Sequence, residues 1–292
     1  MSKIAESELI INNRGAVYHL DVRPNEIADT VILVGDPGRV AKVSKHFDRI
    51  EYTCAHREFI THTGFVGNKR ISVVSTGIGP DNIDIALNEL DALVNIDFAT
   101  REIKPQLNKL RVVRFGTSGA LQADIPVDSF VASSHGLGLD NLMNYYQYQA
   151  ATQEKLLAEA FASQTGLRPE VCIPYVFAGS EFLLQPFGNE FHKGITVTCP
   201  GFFGPQGRVL RLPLSSPGLI NKLSDFQFDN HRITNFEMET SAIYGLGKMM
   251  GHECLSINVI IANRVRQEFS KDSEAAVEKM IKAALGVLTS ID

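Results

Sequence analysis

Continuous apolar runs alternate along the chain with stretches in which apolar residues recur every three or four positions. Residues 31–34, Val-Ile-Leu-Val, form the kind of run shown by a strand buried on both faces. After Gly35-Asp36-Pro37-Gly38-Arg39, a helical pattern covers 40–47. Strand, glycine-rich turn and helix in that order aim backbone N–H groups at an anion, with Arg39 in the first helical turn. The segment 60–66 alternates and turns at Gly67-Asn68 into a strand at 71–76. From Asp81 a helix is predicted with Ile83, Ala86, Leu87, Leu90 and Leu93/Val94 on one face. Residues 95–110 are polar, contain Pro105 and read as a helix end plus a loop.

The strand at 112–115, Val-Val-Arg-Phe, runs into Gly116-Thr117-Ser118-Gly119. Glycines that permit positive φ, unpaired main-chain N–H groups, two hydroxyls and the Arg114 guanidinium would make an anion cradle. Taken alone, Arg-x-Gly-Thr is equally compatible with a surface ion pair. A strand at 127–133 ends at Ser134-His135-Gly136. Sequence neighbours in an extended chain point to opposite faces, so the Ser and His read as a polar loop and not as a nucleophile with its base. Tyr145, Tyr146 and Tyr148 lie in a polar tract with no assigned element, and a helix at 152–164 stops near Gly166 and Pro169.

A strand at 195–199 opens into Pro200-Gly201-Phe202-Phe203-Gly204-Pro205-Gln206-Gly207-Arg208. Aromatics that can stack, with an amide and a guanidinium for ring-edge atoms, suit a flat heterocycle. An aromatic-plugged turn fits the same residues. The strand at 233–236 leads into Glu237-Met238-Glu239 and a helix burying Ala242, Ile243, Leu246 and Met249/Met250. Carboxylates in a first helical turn are favoured by the helix dipole alone. A buried strand at 254–262 ends at Asn263-Arg264, and a helix at 272–288 carries Ala276, Met280, Ala283/Ala284 and Val287 for packing. Strands and helices alternate throughout without repeats or a linker, which predicts one α/β domain over 1–292.

Composition narrows the partners. At 292 residues, with 44% hydrophobic and 21% charged residues, a sizeable core is possible. A formal net charge of −5 and the absence of any Lys/Arg run argue against nucleic acid or an anionic membrane, while leaving room for a local anion pocket. Cys54, Cys172, Cys199 and Cys254 are far apart, with no metal or redox spacing. The N-terminal stretch lacks the basic and apolar regions of a signal peptide, and no apolar run is long enough for a bilayer, so a cytoplasmic location is expected. His19, in Tyr18-His19-Leu20, would ordinarily be a solvated terminal histidine.

Seven pieces, in order, resemble the nucleoside phosphorylase family, and within it the uridine branch. They are Tyr18-His19-Leu20, Gly35-Asp36-Pro37-Gly38-Arg39, His56-Arg57-Glu58-Phe59, Ser75-Thr76-Gly77-Ile78-Gly79, Arg114-Phe115-Gly116-Thr117-Ser118-Gly119, Gln206-Gly207-Arg208 and Asn235-Phe236-Glu237-Met238-Glu239. Each is weak alone; together, from residue 18 to about 268, they are specific. The resemblance implies a single-domain, three-layer α/β/α fold with a mixed, twisted central sheet, and phosphorolysis of uridine to uracil and ribose 1-phosphate. It implies that Gly35, Arg39, Arg114 and Thr117 hold phosphate, joined by Arg57 from a neighbouring subunit. Glu239 would bind the ribose hydroxyls with Met238 against the sugar, and His19, also lent by the neighbour, would reach the 5′ end. Gln206 and Arg208 would read the uracil edge, with Phe202 beside the ring and Arg264 behind it.

Arg114, Arg208 and Glu239 would then carry the catalysis, with phosphate as co-substrate and no cofactor, metal or covalent nucleophile. The assembly implied is a homo-oligomer with shared active sites, either a dimer or a trimer of dimers. Ala262-Asn263-Arg264 resembles the uridine branch, whereas purine-specific members carry Ser-Asp there. The chain departs from the family in three places. Asn82 stands where a Ser is common, so the monovalent cation that some bacterial members hold through that Ser and the Glu matching Glu58 is not carried over. The 95–110 loop and the Tyr-rich tract look longer than in compact bacterial members. The base loop reads Phe-Gly-Pro-Gln for the commoner Tyr-Pro-Gly-Gln. The competing readings are a purine or broad-specificity phosphorylase, a nucleoside hydrolase of the same fold and a non-catalytic nucleoside- or phosphate-binding protein. Arg39, Arg57 and Arg114 count against the hydrolase, which uses water and needs no such trio.

Overall fold

The apolar run expected as a strand is β1 (Thr30–Val34), buried from Val31 onward. The structure is a computed structural model describing residues 3–291; Met1 and Ser2 of the polar N-terminal stretch, and Asp292 at the end of the expected 1–292 domain, lie outside the described residues. The chain divides into two units, one of residues up to Val113 with Met250–Glu253, the other of Arg114–Met249 with the chain from Cys254 onward.

In the first unit, α1 (Pro37–Ser44) begins three residues before the apolar periodicity does. Pro37 supplies the helical φ at the first position, and the Asp36 carboxylate caps the helix by accepting from Gly38 N–H at 2.9 Å. Then β2 (Arg49–His56), β3 (Phe59–Val66) and β4 (Lys69–Ser75) form an antiparallel meander, and β4 pairs in parallel with β1. Strand β2 escapes the sequence pattern because every residue in it is exposed or half-exposed, leaving no apolar face to read. Helix α2 (Pro80–Asn95) buries Ile83, Ala86, Leu87, Leu90, Leu93 and Val94, the face expected. The 95–110 stretch is not simply a loop: β5 (Ile96–Asp97) and β6 (Glu102–Ile103) form a short hairpin inside it.

Strand β7 (Arg111–Ala120) leaves the first unit after Val113 and continues in the second. It does not stop at Gly116, as the glycines suggested. Neither Gly116 nor Gly119 takes a positive φ, and Gly119 and Ala120 pair with Phe236 and Asn235. The expected turn-type cradle of main-chain N–H groups is therefore replaced by sheet.

The second unit continues with β8 (Phe130–Gly138), α3 (Thr152–Thr165), β9 (Tyr175–Ala178), α4 (Glu181–Leu184) and β10 (Phe191–Thr198). It ends with α5 (Leu219–Asp225), β11 (Gln227–Phe228), β12 (His231–Glu237), α6 (Thr240–Met250), β13 (Glu253–Asn263), β14 (Glu268–Phe269) and α7 (Ser273–Ser290). Strands β12, β10, β8, β13 and β7 neighbour one another in that order, and the β7–β12 pairing closes the circuit. Strand β10 runs parallel to β8 and β12, while β13 is antiparallel to β8. Both units thus carry mixed sheets with helices, the α/β class expected. Leu121, Leu137, Phe161, Val197, Ile233 and Phe236 belong to one core cluster of this unit.

Other boundaries move for local reasons. Strand β8 starts later than 127 and runs through Ser134-His135, which are strand residues and not a loop. The Tyr-rich tract holds a short 3-10 turn at Leu142–Tyr145. Met249 and Met250 are half-buried at the end of α6, not part of its buried face. Among the described residues, no helix is long and apolar enough to cross a membrane.

Candidate active site

Strand β7 carries Arg114 into the interior of the second unit, where the residue is only 5% exposed. One Nη forms an ion pair with Glu239 and lies 3.3 Å from a Glu237 oxygen; the other donates to Asn258 Oδ1 at 2.6 Å. A surface ion pair is excluded by this burial. Taking a guanidinium out of water disfavours its charge, but the carboxylates of Glu239 and Glu237 outweigh that cost and hold its pKa above the usual value.

Glu237 does not sit in the first turn of α6, as expected, but ends β12. From there its carboxylate accepts from the N–H groups of Glu239 and Thr240 at 2.9 and 3.0 Å and from the Thr198 hydroxyl at 2.8 Å. Three donors fix this carboxylate, so Glu237 organises the turn that presents Met238 and Glu239. Met238 is half-buried between two buried glutamates, and Thr117 is half-buried on β7. Arg114 and Glu239, assigned from the sequence to phosphate and to ribose, are thus in direct contact. Sequence reasoning read Glu237 only as a helix-start acid, and it missed Asn258 altogether.

A second cluster gathers the residues assigned to the base. Arg208 lies with its Cζ 3.7 Å from the Phe202 ring centroid and donates to Gln206 Oε1 and to the Phe202 carbonyl, both at 2.6 Å. Arg264 donates to the Gln206 carbonyl at 2.9 Å, behind the loop. Gly207, at φ +66°, makes the turn between the two side chains, and a Cβ there would meet Ile220 at 2.5 Å. Gln206 is buried, Arg208 and Arg264 are half-buried, and Phe202 is half exposed. Burial, and after it the charge of Arg264, lowers the pKa of Arg208, so the pair concentrates positive potential that an anion would relieve. The loop is not merely plugged by its aromatics. It holds an amide and a guanidinium ready beside an exposed ring.

Asn263 does not belong to this set. Its amide donates to the carbonyls of Gln122 and Ile125 at 2.9 and 2.8 Å and accepts from the N–H groups of Val265 and Arg266 at 3.0 and 2.8 Å. Those four bonds end β13. An apolar cavity of about 720 Å³ adjoins the loop, lined by Phe203, Pro205, Arg208, Leu210, Leu212 and others. Its lining includes Arg208 but neither Arg114 nor Glu239.

In the first unit His19 is not a solvated terminal histidine. Glu89 accepts from its main-chain N–H at 2.9 Å, from Leu20 N–H at 2.8 Å, and holds its Nδ1 at 2.7 Å. That contact leaves Nε2 as the end of the ring available to a ligand. Arg57 sits exposed at the β2–β3 turn with φ 54°, its Cζ 5.6 Å from the Tyr18 ring, and Tyr18 packs edge-on against His19 at 4.9 Å. The two residues assigned to a neighbour's site therefore share one aromatic–basic patch. Gly35 is half-buried after β1, and a Cβ there would come within 3.3 Å of Gly77 O. Arg39 lies in the first turn of α1 as expected, but the Asp36 carboxylate already takes a donor at that helix start.

Ser134 Oγ lies 3.1 Å from His135 Nδ1, closer than opposite-facing neighbours should be. His135 packs edge-on against His231 at 4.7 Å, and burial, then the charge of His231, holds its pKa down at about 4. Among the described residues, no group of three His, Cys, Asp or Glu side chains is placed to hold a metal ion.

A profile of the Phosphorylase superfamily matches residues 29–290. Over its whole length the chain is 29% identical to a uridine phosphorylase of Thermococcus kodakarensis, covering 94% of that protein. It is also 23% identical to a purine nucleoside phosphorylase of Buchnera aphidicola, with 91% of this chain and 97% of that one covered. Among solved structures, a Trypanosoma brucei nucleoside phosphorylase described as showing uridine phosphorylase activity superposes with a TM-score of 0.89 at 29% identity. That superposition covers 97% of this chain and 99% of the other.

Proposed function

The chain belongs to the phosphorylase superfamily, and we propose that this nucleoside phosphorylase cleaves uridine with inorganic phosphate, giving uracil and ribose 1-phosphate. The observation that carries the base assignment is the cluster of Gln206, Arg208, Arg264 and Phe202. Gln206 Oε1 has a second lone pair and its amide two donors, so it can take the uracil N3–H and give to one flanking carbonyl while bonded to Arg208. Arg208 donates to the other carbonyl. Asn263, where a purine-specific enzyme would keep an acid for N7, is neutral and fully used by the main chain.

In the reaction a phosphate oxygen bonds to C1′ as the C1′–N1 bond breaks, and the bond pair leaves with uracil. The ribose passes through an oxocarbenium-like state. Glu239 accepts from the ribose hydroxyls and sets a negative charge beside the cationic sugar, with Met238 packed against it. Arg114 binds the phosphate, and contacts that strengthen as charge develops lower the barrier more than contacts to the ground state do. Arg208 stabilises the departing uracil anion in the same way. Gly35, Arg39 and Thr117 keep the phosphate role that the resemblance gives them. No covalent nucleophile enters these steps. The direct test is whether uracil leaves uridine only in the presence of phosphate.

We take the enzyme to act in the cytoplasm as a homo-oligomer, a dimer or a trimer of dimers, in one phosphorylase domain per chain. His19 and Arg57 would reach the 5′ end and the phosphate of a neighbour, which their shared exposed patch supports. Mixing inactive Arg57→Ala protein with inactive Arg114→Ala protein, under conditions that exchange subunits, should restore activity, because some sites then hold both arginines. Full activity from a species that sedimentation shows to be monomeric would end the sharing.

A further inference from the structure

We propose that Asn258 is a positioning residue for Arg114, and that Gly116 lacks a side chain to keep the same slot open; the proposal rests on the phosphate role given to Arg114 above. Asn258 is fully buried in β13, where Ile257, Val259 and Ile260 are also fully buried. An amide in such a strand is costly unless both its ends are bonded. Its Oδ1 accepts from Arg114 Nη1 at 2.6 Å, and its Nδ2 donates to Ser256 Oγ at 3.1 Å. Ser256 Oγ accepts from Thr240 Oγ1 at 2.8 Å, and Thr240 N–H donates to Glu237, which lies 3.3 Å from Arg114. The contacts close a ring that begins and ends on the guanidinium.

Gly116 completes the slot from β7. Two residues beyond Arg114 on the same face, an added Cβ would fall on Arg114 Nη1 and within 2.6 Å of Asn258 Oδ1. The guanidinium therefore lies across a bare stretch of backbone, held by carboxylates on one nitrogen and by a neutral amide on the other.

The neutrality of Asn258 suits the buried ion cluster and an incoming anion alike. An Asp could accept from Arg114 in the same place, but it would bury a third carboxylate on one guanidinium and could not donate to Ser256 Oγ as Nδ2 does. Beside an arriving phosphate, a further carboxylate next to Glu237 and Glu239 would repel the substrate and draw the guanidinium away from it.

The test is Asn258→Asp, with steady-state kinetics in phosphate and in uridine and thermal unfolding with and without phosphate. The expected result is a folded protein whose phosphate KM rises roughly tenfold or more through repulsion at short range, while its uridine KM stays within about twofold. Thermal protection by phosphate should weaken in parallel. Gly116→Ala, which displaces the guanidinium without adding charge, should also raise the phosphate KM, and it decides the matter if Asn258→Asp does not fold. A wild type that releases uracil without phosphate would overturn the phosphorolysis reading itself. A phosphate-dependent wild type with unchanged phosphate KM in these variants would overturn the assignment of Asn258 and Gly116 alone.

Discussion

Arg114→Ala should lose roughly a hundredfold or more in phosphorolysis, because it removes a charge-assisted contact to the reacting anion. From the sequence alone this looks like a change neutral to the fold. The burial of Arg114 between Glu237, Glu239 and Asn258 makes it otherwise. Deleting the guanidinium leaves two buried carboxylates without the counter-charge they share, a loss of about 3 kcal/mol or more in stability. Arg114→Lys separates the two effects. An ammonium can balance the carboxylates but cannot bond Glu239, Asn258 and phosphate through one planar fork. That variant should unfold close to the wild-type temperature and still be impaired in phosphate use. Paired measurements of kcat/KM and thermal unfolding check both. Normal phosphate dependence in folded Arg114→Lys would remove Arg114 from the phosphate site.

Cytidine should be rejected relative to uridine by about 10⁴-fold in kcat/KM, because the base cluster is built for hydrogen bonds that cytosine cannot make. Uracil offers N3–H between two carbonyls. Cytosine has a lone pair at N3 and an amino group in place of one carbonyl. Gln206 Oε1 would then face a lone pair, and a donor from Gln206 or Arg208 would face another donor, in a site where Gln206 is 3% exposed and water cannot compensate. Inosine should fail for a separate reason, since Asn263 offers no acid to N7. The measurement is kcat/KM for the three nucleosides at saturating phosphate. Inosine turned over as fast as uridine would leave a broader phosphorylase and refute the base assignment.

Much of this site can be read from the chain, and the reasons for the exceptions are local. Strand β1 announces itself because both its faces are buried, and α2 because one face repeats Ile83, Ala86, Leu87, Leu90 and Leu93 at helical spacing. Strand β2 is hidden because neither face is buried, so pairing alone defines it. Gly116 and Gly119 misled because glycine serves turns and close approach alike. Here Gly116 makes room for a guanidinium in a continuous strand. Gln206 and Arg208 were legible as a pair because they flank one glycine, and the Arg208 guanidinium does donate to Gln206 Oε1. Asn258 left one signal, a lone amide in the buried run from Cys254 to Ile260, but its partner lies 144 residues away and sequence spacing cannot supply it. Glu237 was misplaced because an acid just before a helix fits the dipole whether it lies in the first turn or caps from the preceding strand.

Phosphate is proposed as the attacking species and uridine as the nucleoside attacked. Following uracil release from uridine as inorganic phosphate is raised from zero, with ribose 1-phosphate measured alongside, tests both at once. The expected result is no release above background without phosphate, saturation as phosphate increases, and one ribose 1-phosphate formed for each uracil. Uracil released at the same rate without phosphate, with free ribose as the sugar product, would contradict it and make the enzyme a hydrolase.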